Sequence, residues 1–221
     1  MTANKTTRTA LILNICIFLL EVFAVCWMMT GFSAGLLSAA RLTALKYFTV
    51  DSNILMGITA LIMAVDQSKV LKGKKSEVPA SGYLLKLVGT VGVTMTMIVT
   101  VFYLAPTTAA VYGPFAMFYG SNFLLHLLNP LLSIITFVCF EKTEKIAFRH
   151  TLTGIIPMVI YAVYYVAAAL SHTHNGVIDK GYDWYGFFFA GPRSALIVAP
   201  MLVLLTWGIS CALWKMNRRK A

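Results

Sequence analysis

Lys46-Tyr47-Phe48-Thr49-Val50-Asp51-Ser52-Asn53-Ile54, continued by Leu55-Met56-Gly57-Ile58-Thr59-Ala60-Leu61-Ile62-Met63-Ala64-Val65-Asp66, is an apolar run whose opening carries four polar side chains. A hydrocarbon core about 30 Å thick is crossed by roughly 20 helical residues, and this run has that length. Five further runs of similar length lie near 10–30, 84–105, 115–140, 152–171 and 192–214. Backbone groups surrounded by lipid must bond within their own segment, so each run is predicted to be a helix. Membrane strands would alternate apolar and polar residues over about ten positions, and none of the runs does. The fold expected is all-α: a single transmembrane domain, residues 1–221, with six membrane-crossing helices.

Composition agrees with that reading. Only 12% of the 221 residues are charged, about half the usual share in soluble domains. The first run is too long for the apolar core of a signal peptide and lacks a small-x-small cleavage pattern, so it is read as a retained span. Residues 1–10 are read as a short basic tail.

The net charge of +10 is placed unevenly. Lys and Arg cluster before the first run, around residues 69–86, over 142–149 and after 214. Arg41, Lys46, Lys180 and Arg193 alone fall on the other side of six spans. The positive-inside rule then places both termini in the cytoplasm of a multi-pass cell-membrane protein. Anionic lipid headgroups are the partners this charge suits. Nucleic acid is not, since no aromatic-interleaved soluble surface presents the charge. Cys16, Cys26, Cys139 and Cys211 all fall within spans without CxxC spacing, and are read as buried small side chains. The reading calls for no cofactor.

Polar groups inside lipid cost free energy unless they are paired or face water. Thr49, Ser52 and Asn53 share one helical face, with Asp51 directed largely away from Thr49. Asn122, His126, Asn129 and Ser133 follow at i, i+4, i+7 and i+11, which is one stripe of a helix. In the first span Asn14 and Glu21 share a stripe. Glu21 has three readings: an acid relay, a counter-ion for Arg41 or Lys46, or a protonated interhelical bond. Thr49 and His126 both fall in the outer half of the membrane, so a tilt or an unwound start could bring them level. The connection 105–114, bounded by two prolines, is read as a tight outer turn. The longest connection, 171–191, is read either as an interfacial anchor through Trp184 and Tyr185 or as a lid over an outward-facing cavity.

Three of these stretches resemble a known family. Lys46-Tyr47-Phe48-Thr49-Val50-Asp51-Ser52-Asn53, then Asn122-x-x-x-His126 with Pro130, then Asp183-Trp184-Tyr185-x-Phe187, resemble the androgen-induced family of membrane threonine hydrolases, most closely its bacterial six-span relatives. The resemblance implies hydrolysis of fatty acid esters of hydroxy fatty acids by a Thr nucleophile and a His. These fall on Thr49 and His126. The chain departs from the animal members at Phe123, where they carry a further His, and at Pro130, which follows His126 by four positions rather than five.

For that chemistry His126 is expected to be oriented by Asn122, Asn129 or a carboxylate, and Asn53 and Asn129 to donate to the oxyanion. Asp51, Ser52 and Glu21 are expected to support the site. A lipid ester would run along an interior that includes Met95, Met97, Met117 and Phe118. Two alternatives stand beside it. One is a non-enzymatic binding or transport protein for a lipid or small amphiphile, using the same outward-facing polar cavity. The other is a metal-dependent hydrolase built on His172, His174, Asp179 and Asp183.

Overall fold

A computed structural model describes residues 2–32 and 39–218 of the chain. Arg219 and Lys220 of the basic C-terminal cluster lie outside those residues. Among the described residues six helices are long and apolar enough to cross a membrane. They are α1 (Thr2–Met29), α2 (Phe48–Leu71), α3 (Ala80–Tyr112), α4 (Ser121–Phe140), α5 (Phe148–Ser171) and α6 (Pro192–Arg218). The chain is an all-α, multi-pass membrane protein. Side-chain bonds set the level of the helices: Asn14 meets Gln67, Lys86 and Glu141, Glu21 meets Asn129, Thr49 meets His126, Tyr161 meets Lys46 O, and Asn217 meets Glu141 O. Neighbouring spans therefore run antiparallel, with residues 4, 71–80, 140–148 and 218 at one end, called here the terminal end.

Several helices outrun their expected limits. The basic stretch expected as a tail is the first turns of α1. The expected turn at 105–114 is mostly helix, continuing to Tyr112 and ending at Gly113, whose positive φ of 89° closes it. Pro106 lacks an N–H and should break this helix. Instead the preceding turn widens: Ala105 N bonds back five residues to Thr100 O. The same device recurs in α4, where Asn129 N reaches Leu124 O immediately before Pro130. Such wide turns leave a carbonyl without its backbone partner, and they concentrate at functional positions.

The surface and the interior carry the polarity that a lipid solvent demands. Large apolar side chains such as Leu19, Phe23, Ile58, Phe102, Ile160 and Leu204 face outward. A water-soluble monomer would not expose such a band. The interior holds Leu87, Val91, Met95 and Phe137 together with the whole polar stripe of α4. Cys16, Cys26 and Cys139 are exposed on the apolar surface and Cys211 is half-buried, so the cysteines are not the buried core residues expected. Where α5 and α6 meet, Gly154 lets them touch; a Cβ there would lie 2.5 Å from Ser210 Oγ, which itself bonds Thr151 O.

The connection after α5 is ordered by local bonds. Thr173–His174 (β1) pairs with Val177–Ile178 (β2) in a hairpin closed by Asn175-Gly176, both at positive φ, the two-residue turn that suits strand twist. Beyond it, Asp183 accepts from Phe187 N at 2.9 Å, from Phe188 N at 3.1 Å and from the Tyr165 hydroxyl. This clamp folds 183–188 back over the bundle, and Trp184 Nε1 donates to Tyr161 Oη at 2.9 Å.

Candidate active site

Thr49 is the second residue of α2, so it sits where a helix presents unbonded N–H groups. Val50 N and Asp51 N turn back to Tyr47 O, leaving Phe48 N and Thr49 N directed outward. Phe48 N donates to the Tyr185 hydroxyl at 3.0 Å, and that hydroxyl also interacts with the Thr49 side chain and amide. Burial pushes the Tyr185 hydroxyl up to about 12, against the lowering effect of Tyr161, Thr49 and the two amides, so it is neutral at physiological pH.

Across the bundle, Thr49 Oγ1 is 3.3 Å from His126 Nε2. The other ring nitrogen, Nδ1, is 3.3 Å from Met117 O. A carbonyl can only accept, so Nδ1 carries the proton of the neutral ring and Nε2 offers its lone pair to the threonine hydroxyl. The two side chains are 8% and 3% exposed, so solvent competes little for this contact. Its length suits a resting nucleophile–base pair, which tightens when substrate binds.

The remaining expected site residues divide. Asn53 Nδ2 donates to Thr49 O at 2.7 Å and to Leu125 O at 3.2 Å. The second acceptor is the carbonyl released by the wide turn before Pro130. Both amide hydrogens of Asn53 are thus spent on carbonyls, one within α2 and one joining α2 to α4, and neither is aimed at an oxyanion. Asn129 Nδ2 donates to Glu21 Oε2 at 2.8 Å, away from Thr49. Asn122 is fully buried one turn ahead of His126, but both imidazole nitrogens are already engaged. The orienting group is the Met117 carbonyl, in place of the Asn or carboxylate expected. Ser52 Oγ bonds Thr96 Oγ1 and Thr49 O, joining α2 to α3. Asp51 is half-buried in a separate groove with Pro157, Ile160 and Tyr164. Glu21 is paired with Asn129 and lies near Lys86, not Arg41 or Lys46.

Thr49 forms part of the wall of a cavity between α2, α3, α5 and α6, whose space free of atoms is about 650 Å³ including its mouth. The part of it that a water-sized sphere can enter is about 50 Å³. Phe48, Tyr185, Phe187 and Phe188 roof it, and Met95, Met158 and Leu202 line its deeper part. The lining is almost wholly apolar. Of its few polar atoms, Thr100 Oγ1 is buried and has no hydrogen-bond partner among the described residues. Val99, Val166, Ala199 and Leu202 are half-buried and form the side nearest lipid. Of the four residues expected along the interior, Met95 lines this cavity, while Met117 serves the site through its carbonyl.

Tyr185 and Thr100 were missed as site residues. Tyr185 stands in a motif that signalled an interfacial aromatic. Thr100 is one of several threonines in its apolar run, and nothing in the sequence singles it out. The acidic and imidazole groups of the last connection do not converge: His172 stacks on Tyr182, His174 Nε2 is 4.0 Å from Asp179 Oδ2, and Asp183 is spent on its clamp. Among the described residues no group of three or more His, Cys, Asp or Glu could hold a metal ion. That donor geometry removes the metal-site reading of this loop. Comparisons with protein-family models, with curated proteins and with solved structures return no match.

Proposed function

We propose that this protein is a membrane-embedded hydrolase of fatty acyl esters, with Thr49 as nucleophile and His126 as base. One observation carries the reading: a threonine hydroxyl on the wall of an apolar cavity lies 3.3 Å from an imidazole nitrogen whose tautomer is set by a backbone carbonyl. The motif resemblance to the androgen-induced threonine hydrolases supports the same pair and suggests an ester of a hydroxy fatty acid as substrate.

In the proposed reaction the Thr49 hydroxyl adds to the ester carbonyl as His126 Nε2 takes its proton. The carbonyl oxygen becomes an oxyanion, and the outward amides of Phe48 and Thr49 at the start of α2 are the donors placed to receive it. Collapse expels the alcohol, which takes the proton from His126 and leaves an acyl-threonine. Water then adds to that acyl group with His126 again as base, releasing the fatty acid and restoring Thr49. For the carbonyl oxygen to reach the amides, the Tyr185 hydroxyl must give way. The acyl chain lies against Met95, Met158 and Leu202, and Thr100 meets a polar group within it. No cofactor is needed for any step.

The setting proposed is the cell membrane with both termini in the cytoplasm, which puts Thr49 in the outer half. The charge asymmetry of the connections supports this, even with Lys86 removed from the count because it is buried in α3. A non-enzymatic role in holding a lipid or small amphiphile is the second reading. It is favoured by Tyr185 seated on the amides, which suits a closed pocket better than an open one.

The test is hydrolysis of a fluorogenic long-chain ester by purified protein in detergent. Turnover should fall roughly 1,000-fold or more in Thr49→Ala and His126→Ala. Wild-type turnover in either variant ends the assignment. An intact co-purified lipid with no turnover in wild type supports the second reading.

A further inference from the structure

Four charged side chains are buried among the described residues: Glu21, Asp66, Lys86 and Glu141. Asp66 is neutralised by Lys75 at 2.6 Å. Lys86 alone stands against the other two carboxylates. Its Nζ is 4.0 Å from Glu141 Oε2 and donates to Asn14 Oδ1 at 2.6 Å. Glu141 Oε1 accepts further from Asn14 Nδ2 at 2.5 Å and Gln67 Nε2 at 2.8 Å. With both carboxylates ionised, the bundle core sets two negative charges against one ammonium, and the surplus must be cancelled by a proton on Glu21 or by a bound cation. An isolated charge in such a medium is prohibitively costly.

The unmet hydrogen-bonding groups are carbonyl, carboxylate and hydroxyl oxygens. Every buried side-chain polar atom without a partner among the described residues is an oxygen, and Glu21 Oε1, Asn129 Oδ1, Ser133 Oγ and Asn53 Oδ1 are among them. These four belong to one neighbourhood. Asn129 Nδ2 bonds Glu21 directly. Ser133 stands one turn further along the same stripe of α4. Asn53 is tied to Leu125 O, one turn the other way. On α2, Gly57 packs against the stem of Glu21, where a Cβ would lie 3.3 Å from the Glu21 Cβ and 3.8 Å from its Cγ.

We propose that Glu21, Asn129, Ser133 and Asn53 bind one alkali-metal cation between α1, α2 and α4. The charge count asks for a single positive charge, and a divalent ion would overshoot it. The donor set is all oxygen, which suits a hard cation. A proton on Glu21 would cancel the charge but supply only one donor, whereas a cation engages several oxygens at once. The site lies deeper than the Thr49–His126 pair and does not depend on the hydrolase reading.

The test is thermal unfolding of the purified full-length protein in detergent, at neutral pH and constant ionic strength. Sodium, potassium and N-methylglucamine chlorides are compared. Stability should rise with sodium or potassium in a saturable way relative to N-methylglucamine, and the two metals show which is preferred. Ser133→Ala should weaken the apparent affinity roughly tenfold, and Glu21→Gln should abolish the response. Thr49→Ala should keep it in full. Wild-type protein equally stable in all three salts overturns the proposal. If its stability rises instead as pH falls, a proton carries the charge and the proposal is likewise wrong.

Discussion

Asn53 and Pro130 form a thermodynamic pair that a double-mutant cycle can measure. Pro130 has no N–H, and Asn129 N is taken by Leu124 O, so Leu125 O is left for Asn53 Nδ2 at 3.2 Å. In Asn53→Ala that carbonyl is stranded in the bundle. Thr49 O is not, because Ser52 Oγ still reaches it at 3.1 Å. One orphaned carbonyl costs about 1–3 kcal/mol, while interhelical bonds in membranes average about 0.6 kcal/mol and reach about 1.7. The expected loss is therefore about 1.5 kcal/mol. Pro130→Ala restores a backbone N–H that can bond Leu125 O, and in that background Asn53→Ala should cost only about 0.5 kcal/mol. The coupling, about 1 kcal/mol, is read from unfolding in mixed SDS micelles. Costs equal within about 0.3 kcal/mol in both backgrounds would refute the account of the wide turn. Because that turn also sets where His126 points, Pro130→Ala should lose ester turnover far beyond its effect on stability.

Three further outcomes follow from the site. Tyr185→Phe removes the oxygen that competes for the amides of Phe48 and Thr49, so turnover should equal or exceed wild type by up to roughly tenfold. A fall in steady-state turnover would mean that the hydroxyl donates in the transition state. Ala162→Phe places a ring in the cavity and should shift preference towards short acyl chains, measured as kcat/KM over a chain-length series, with acetyl esters unaffected. An unchanged profile would put the chain elsewhere. Asp51→Asn lies in the outer groove beside Pro157 and Ile160 and should leave turnover within about twofold of wild type; a large loss would place Asp51 at the site.

The spans were legible because lipid imposes a length and an apolar surface that composition alone reveals. The stripe of Asn122, His126, Asn129 and Ser133 was legible too, and all four are buried. What each polar group does was not. Lys86 looked like one more positive charge beside a loop, because a helix that starts at Ala80 rather than 84 draws it into the bundle, against Glu141 and Asn14. Asn53 and Asn129 looked like free amides, because the carbonyl and carboxylate they serve become neighbours only in the tertiary fold. Helical-wheel reasoning also assumes 3.6 residues per turn, so it could not see the wide turns before Pro106 and Pro130. Met117 was expected as a side chain along the interior, and its role at His126 left no trace, since that contribution is a main-chain carbonyl that any residue provides.

The depth of the polar groups decides which of them can serve Thr49. Glu21 is the buried carboxylate of α1, but it is bonded to Asn129, three residues beyond His126 on α4 and so about 4.5 Å further from Thr49 along the axis. A base must come within about 3.2 Å of the hydroxyl as it takes the proton, or reach it through one water, and His126, 3.3 Å away at rest, already fills the only polar approach seen among the described contacts of Thr49 from α4. Asn53 lies alongside, with both its hydrogens tied to carbonyls, so it cannot pass a proton from Glu21 upward. The polar stripe of α4 is thus two arrangements joined end to end. One is a neutral imidazole facing a hydroxyl at the cavity wall, and the other is a carboxylate with surplus oxygens in the bundle centre. A negative charge next to His126 would favour the imidazolium and remove the lone pair that Thr49 needs. Keeping the carboxylate a turn away, and compensated, is what leaves His126 able to act as a base.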